Sequence, residues 1–253
     1  MKELIINELC VEVTRKCNMK CSHCMRGYAQ NINLDSEKIE YLFNNQELNI
    51  IAINRLIITG GEPTLNCQII IDIINKIINK SIIVKSFIMV INGSNYNTKL
   101  IDALNMLYQY KQNNDNENLF DVICSLDQFH KKPKKEVLEE YKKLPYFKGV
   151  NKILETNDIM CIGRAYLNNL GDIDTYFLSK ATHLYYLYNN YPTTYEENEK
   201  LYLNKLYLSS KGLYGFFIMD ATYDMIDELC IYKQEELNSL INKEIKIKRK
   251  QKM

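Results

Sequence analysis

Five short apolar, β-branched runs recur along the first 155 residues, each running into polar residues or glycine. They close at Thr14, Gly60-Gly61, Asn92-Gly93, Asp127 and near Glu155. The last three intervals are about 30 residues, the length of a strand, a helix and their connections. Helical patterns lie between the runs. Leu34-Asp35 ahead of Ile39 reads as a hydrophobic staple and N-cap for a helix carrying Leu42 and Phe43. Ile69, Ile70, Ile73, Ile74, Ile77 and Ile78 repeat at helical spacing, as do Leu100, Leu104 and Leu107. Val137, Leu138 and Tyr141 mark a fourth helix. Alternation of this kind predicts a parallel sheet with helical crossovers. Functional groups in such sheets gather at the carboxyl ends of the strands.

The pattern fades after about residue 165, which predicts a core over 1–165 and a C-terminal completion of the same domain over 166–253 that covers one side of it. Nine tyrosines fall between residues 176 and 214. "KLYLNKLYLSSKGLYGFFIM" reads as one or two strands turning at Lys211-Gly212, while "TYDMIDELCIY" and "EELNSLINKEI" read as helical. The tyrosines suit a sheet face as well as a peptide or nucleotide site.

The first interval is longer than the rest because it carries "TRKCNMKCSHCMRG", residues 14–27, with Cys17, Cys21 and Cys24 in one loop. The N-terminal "MKELIINELC" is too short and polar for a secretory leader, and no apolar stretch has the length of a membrane span. A cytoplasmic protein is therefore expected, and in a reducing compartment eight cysteines point to metal ligands, reactive thiols or core fillers before disulfides. Lys and Arg number 32 against 31 Asp and Glu, which gives no electrostatic case for nucleic acid or an acidic membrane. The basic ending "KEIKIKRKQKM" reads as a solvated tail.

Structural zinc wants four closed ligands. The loop supplies three thiols, with His23 or a distant cysteine as the fourth. Three thiolates with an open metal position equally suit an iron–sulfur cluster. "LIITGGEPTL", residues 56–65, then places Gly60, Gly61, Glu62 and Pro63 at the end of the second strand, beside the cysteine loop. Paired glycines there would let a ligand approach bare backbone. The alternative is a plain strand-to-helix turn.

Cys17-x3-Cys21-x2-Cys24 followed by Gly60-Gly61-Glu62-Pro63 resembles the radical S-adenosylmethionine (radical SAM) superfamily. The resemblance covers about residues 8–165. It implies a partial (β/α)6 TIM-type barrel with a C-terminal extension. It also implies a [4Fe–4S] cluster on the three cysteines, with S-adenosylmethionine chelating the fourth iron and the Gly60–Pro63 segment binding its methionyl amine. Asn92, Ser125 and Asp127 would then lie near the cofactor, Ile162 and Gly163 of "CIGRA" would pack on adenine, and His23 would take the place of the aromatic residue common before the third cysteine. The implied chemistry is reductive cleavage of S-adenosylmethionine, driven by a flavodoxin- or ferredoxin-like donor, and hydrogen abstraction from a peptide, protein or small metabolite. His130, three residues after Asp127, is a candidate acid or base, and Arg164 a candidate clamp for a carboxylate or phosphate. Cys67 and Cys161 are candidate hydrogen donors or ligands of a second cluster. Cys10, Cys124 and Cys230 read as core fillers. A zinc-bound adaptor and a catalytically inactive cluster protein are the other readings.

Overall fold

A computed structural model of the chain describes residues 2–25, 28–44, 48–114, 119–150, 152–159, 164–171, 194–198, 200–209, 212–214 and 230–231. The first strand, β1 (Lys2–Glu12), leads through the cysteine loop into helix α1 (Ser36–Phe43). There follow β2 (Leu48–Thr59), α2 (Cys67–Asn79), β3 (Ile83–Ile91), α3 (Thr98–Asn114), β4 (Phe120–Ser125), α4 (Lys135–Lys142) and β5 (Phe147–Val150). A short turn of helix, α5 (Arg164–Leu167), precedes β6 (Thr194–Glu197), β7 (Lys200–Ser209), β8 (Gly212–Tyr214) and β9 (Cys230–Ile231).

The strands form one sheet in the order β5-β4-β3-β2-β1-β7-β8-β9, with β6 paired to β7. Six of them, β5 through β1 and then β7, run parallel. The result is an open α/β partial barrel. Its sixth parallel strand, β7, joins at the free edge of β1, so the C-terminal part lengthens the sheet there instead of merely covering it. The hairpin expected in "KLYLNKLYLSSKGLYGFFIM" is present as antiparallel β7 and β8.

The expected helix faces bury as the 3.6-residue period dictates. Ile69, Ile70, Ile73, Ile74 and Ile77 of α2 are buried, as are Leu100, Leu104 and Leu107 of α3. They meet Leu9 and Val11 of β1, Leu56 and Ile58 of β2, and Phe87 and Met89 of β3 in one core. Asp35 caps α1, accepting a bond from Lys38 N, while Leu34 and Ile39 bury together behind it. Ile73 is 0% exposed at the centre of α2. Its replacement by alanine is expected to cost about 2–5 kcal/mol in a denaturant titration, because lost burial and a residual cavity add.

Two expectations need correction. The fifth strand is Phe147–Val150, at the start of the "VNKILET" run and before it, because buried Tyr146 and partly buried Phe147 pack on the core while Ile153 stands 80% exposed. Cys230 and Ile231, expected within a helix, pair with Tyr214 and Leu213 as a strand, since β8 offers an open ladder edge at that point. "EELNSLINKEI", the basic tail, Tyr176, Tyr185, Tyr186, Tyr188 and Tyr191 lie outside the described residues.

A thiol-bearing loop on the carboxyl rim

The cysteine loop leaves the end of β1 and is held at its base by its own backbone. Arg15 N donates to Ile32 O, Gln30 N to Arg15 O and Leu34 N to Val13 O, so the outgoing and returning legs are paired. Thr14 Oγ1 adds a 2.7 Å contact to Asn33 Oδ1. Buried side chains reinforce the base. Arg15 Nε donates to Glu12 Oε1 at 2.8 Å, and Tyr207 of β7 donates to Glu12 Oε2 at 2.8 Å. The C-terminal strand thus bonds directly to the residue from which the loop springs.

The end of β2 clasps the loop from the other side. Gly61 N donates to Thr14 O and Glu62 N to Lys16 O, each at 2.7 Å. A Cβ on Gly60 would lie 2.6 Å from Thr14 O, and one on Gly61 2.2 Å from Lys16 O. The space expected for a ligand beside these glycines is filled there by the chain's own backbone. Pro63 opens a 3₁₀ turn, Pro63–Asn66, as its fixed φ favours. Glu62 is buried. Its Oε1 accepts from Thr64 N and Thr64 Oγ1, and its Oε2 accepts from Asn92 N at 2.7 Å. Burial pushes the Glu62 carboxyl above its usual range, and the bonds from Thr64 and Asn92 only partly offset this.

Asn92, at the end of β3, reaches the loop itself. Its Nδ2 donates to Asn18 Oδ1 at 2.9 Å, and Asn18 Nδ2 donates to Ser94 Oγ at 2.7 Å. Gly93 follows with φ +68, where a side chain would strain the backbone and its Cβ would meet Cys124 Sγ at 2.6 Å.

Cys17, Cys21 and Cys24 are half-buried, and none of the described cysteines forms a disulfide. Met19 N donates to Cys17 Sγ at 3.4 Å. Burial raises the Cys17 thiol, and the charges of Glu62 and Cys24 add to it. Cys21 is pushed up to about 11, first by burial and then by the charges of Cys24 and Cys17. Alkylation of Cys21 in the metal-free protein should be slow at pH 8 and climb as pH approaches 11, since the thiolate is the reactive form and a raised value leaves little of it near neutrality. Mass mapping of iodoacetamide-treated protein across that range checks this.

Past the end of β4, Asp127 accepts from Phe129 N at 2.9 Å, and its Oδ2 meets His130 Nδ1 at 2.7 Å. Burial opposes ionisation of Asp127, but the bonds from His130 and Phe129 outweigh it and hold the carboxyl below its ordinary value. His23 stacks on Phe129 with centroids 4.6 Å apart and stands edge-on to His130 at 5.1 Å. Burial lowers the His23 imidazole against the pull of Asp127, so its 4.0 Å approach to Asp127 Oδ2 is not an ion pair at neutral pH. These three residues have ligand atoms within 4.8 Å of one another. The Asp127–His130 hydrogen bond already occupies one such atom on each.

Ser125 closes β4 half-buried, on the face of Ile123 and Asp121. Arg164 is buried, and its backbone N donates to Cys24 O at 2.8 Å. Cys67 Sγ donates to Thr64 O at 3.0 Å, while Cys10 and Cys124 are buried in the sheet. Ile162, Gly163 and Cys161 lie outside the described residues, and so does the side chain of Cys230. The sequence reading did not single out Asn18, Thr64, Glu12 or Arg15, and it counted Tyr207 only among the tyrosines of a sheet face or binding site. A glutamate and an arginine bracketing the apolar-alternating end of the strand were the visible signal for the buried cluster at the loop base.

A thiol-rich loop on the carboxyl rim of a parallel sheet, clasped by a glycine pair and a buried glutamate, marks an α/β protein whose distinctive residues converge on one rim. The family model described as the radical SAM superfamily matches residues 11–150, more than half the chain, and the chain belongs to that superfamily. Among solved structures it is similar to Streptococcus suis SuiB bound to precursor peptide SuiA, at 13% identity and TM-score 0.39, over 83% of this chain and 59% of that one. It is also similar to anSMEcpe with bound AdoMet, at 11% identity and TM-score 0.42, over 93% of this chain and 77% of that one. The structure of anSMEcpe with AdoMet and Cp18Cys peptide gives 12% identity and TM-score 0.43, over 93% and 79%. The chain thus spans less than two thirds of SuiB. Among curated proteins no sequence matches it. Among the described residues no helix is long and apolar enough to cross a membrane.

Proposed function

We propose that the protein is a radical SAM enzyme whose Cys17, Cys21 and Cys24 hold a [4Fe–4S] cluster, leaving one iron for S-adenosylmethionine. The observation that carries this reading is the donor set itself. Three free, half-buried thiols lie on one loop fixed at both legs. Soft thiolates select iron–sulfur clusters or zinc. A closed zinc site needs a fourth ligand, and the other thiols with described side chains are buried in the sheet or bonded to Thr64.

The bound cluster and S-adenosylmethionine would supply one-electron reduction and a carbon-centred radical able to take hydrogen from an unactivated carbon. The protein's residues bind, orient and exclude water. Gly60 to Pro63 and Asn92 keep the loop against the sheet, and the Gly60–Pro63 segment with its buried Glu62 carboxylate would hold the methionyl amine. Ser125, Asp127, His23, Ile162 and Gly163 are assigned to the cofactor side of the rim. His130, oriented by Asp127 through Nδ1, keeps Nε2 for a proton or hydrogen bond on the substrate side. A flavodoxin- or ferredoxin-like donor and a peptide, protein or small-metabolite substrate complete the assignment.

Anaerobic reconstitution with iron and sulfide, followed by dithionite and S-adenosylmethionine, tests it. The expected result is a reduced-cluster EPR signal and formation of methionine and 5′-deoxyadenosine. One tightly held zinc with no uptake of iron or sulfide would overturn the reading in favour of an adaptor.

A further inference from the structure

Arg164 is a buried cation without an evident reason to be buried. It is 6% exposed, and its Nε is shielded from solvent with no hydrogen-bond partner among the described residues. No described carboxylate forms an ion pair with it. Its guanidinium lies 6.0 Å from the centroid of the Tyr28 ring, at the outer limit of a cation–π contact. A buried guanidinium whose Nε lacks a partner is costly unless an anion joins it.

The surroundings indicate where that anion belongs. Arg164 N donates to Cys24 O at 2.8 Å, and Asn168, one turn on, donates through Nδ2 to Ser22 O at 3.1 Å. The segment is therefore bonded to the cysteine loop at two points, one of them the carbonyl of Cys24, which anchors the residue bearing the cation to the third cysteine.

We propose that Arg164 is the fixed counter-charge of the anionic, thiolate-ligated centre held by Cys17, Cys21 and Cys24. This rests on the cluster assignment made above. Three thiolates outweigh the 2+ charge of an oxidised [4Fe–4S] core, and one-electron reduction makes the centre more negative still. A cation held alongside stabilises the more negative, reduced state and so raises the reduction potential. The guanidinium cannot escape by losing its proton, so its charge is fixed at any working pH.

The test is a potentiometric EPR titration of anaerobically loaded wild-type, Arg164→Lys and Arg164→Gln proteins, without and with S-adenosylmethionine. At the potential that half-reduces the wild-type cluster, Arg164→Gln should show a reduced-to-oxidised ratio about tenfold lower, equal to 59 mV for a one-electron couple. Arg164→Lys should stay near wild type. Failure of Arg164→Gln to take up cluster while Arg164→Lys does so would also support the requirement for charge. Failure of both variants would mean that the side chain serves packing, and would overturn the inference. Equal midpoints, with weaker S-adenosylmethionine binding confined to Arg164→Gln, would assign the cation to the methionyl carboxylate and overturn it as well. A wild-type protein that takes up no cluster overturns the proposed function and this inference with it, whereas equal midpoints overturn this inference alone.

Discussion

Replacing Cys21 with alanine is expected to abolish stable iron and sulfide uptake and, with it, cleavage of S-adenosylmethionine. The loss should exceed the roughly 10–100-fold reduction in metal affinity seen when only an outer partner of a ligand is removed, because a donor atom itself is gone. Cys21 is the cleanest of the three to test. The sulfur of Cys17 accepts a bond from Met19 N, so its removal would also disturb the loop. The recorded bond at Cys21 is made by its carbonyl, which accepts from Cys24 N and survives the substitution. The metal-free variant should therefore unfold within about 0.5 kcal/mol of the metal-free wild type, as expected for a change that breaks no packing or bond. Iron and sulfide analysis, 5′-deoxyadenosine quantified by chromatography, and denaturant unfolding read the three quantities separately. A variant that loads a full cluster and cleaves S-adenosylmethionine at the wild-type rate would remove Cys21 from the ligand set.

Local rules carried the sequence reading a long way in the first half of the chain, where they agree with tertiary demand. The isoleucines of α2 face the core because six apolar residues at helical spacing leave the helix no other way to bury them. The staple at Leu34 and the cap at Asp35 hold for the same reason. Legibility fell where a partner distant in sequence decides. Cys230 and Ile231 have helical neighbours in composition, yet β8 supplies unpaired backbone that draws them into the sheet. The placing of β7 beside β1 could not be read from either segment, since apolar alternation fixes which face is buried and not which edge is joined. The site shows the same division. Spacing of thiols is local and was visible. The buried bond from Tyr207 to Glu12 and the half-buried one from Asn92 to Asn18 join residues 195 and 74 positions apart, and no local signal announces them.

The glycines of the Gly60–Pro63 segment show how a motif can be legible while its cause is not. Open space for a ligand was the natural inference, but neither glycine is explained by it alone. Gly61 →Ala would place a Cβ 2.2 Å from Lys16 O and 2.7 Å from Lys16 C, backbone atoms that cannot swing aside like a flexible side chain. Relief requires the end of β2 to withdraw from the loop, which breaks the bonds from Gly61 N to Thr14 O and from Glu62 N to Lys16 O. Overpacking and two lost backbone bonds together should cost about 3–5 kcal/mol. That is a large share of the roughly 5–15 kcal/mol that holds an ordinary domain together. Equilibrium denaturation measures the cost. If the cysteine loop is held in place by this contact, cluster loading should fall in parallel, even though no ligand atom is altered. Wild-type stability combined with wild-type loading would show that the clasp between β2 and the loop is dispensable, and the glycines would then have to be explained by what binds at the rim.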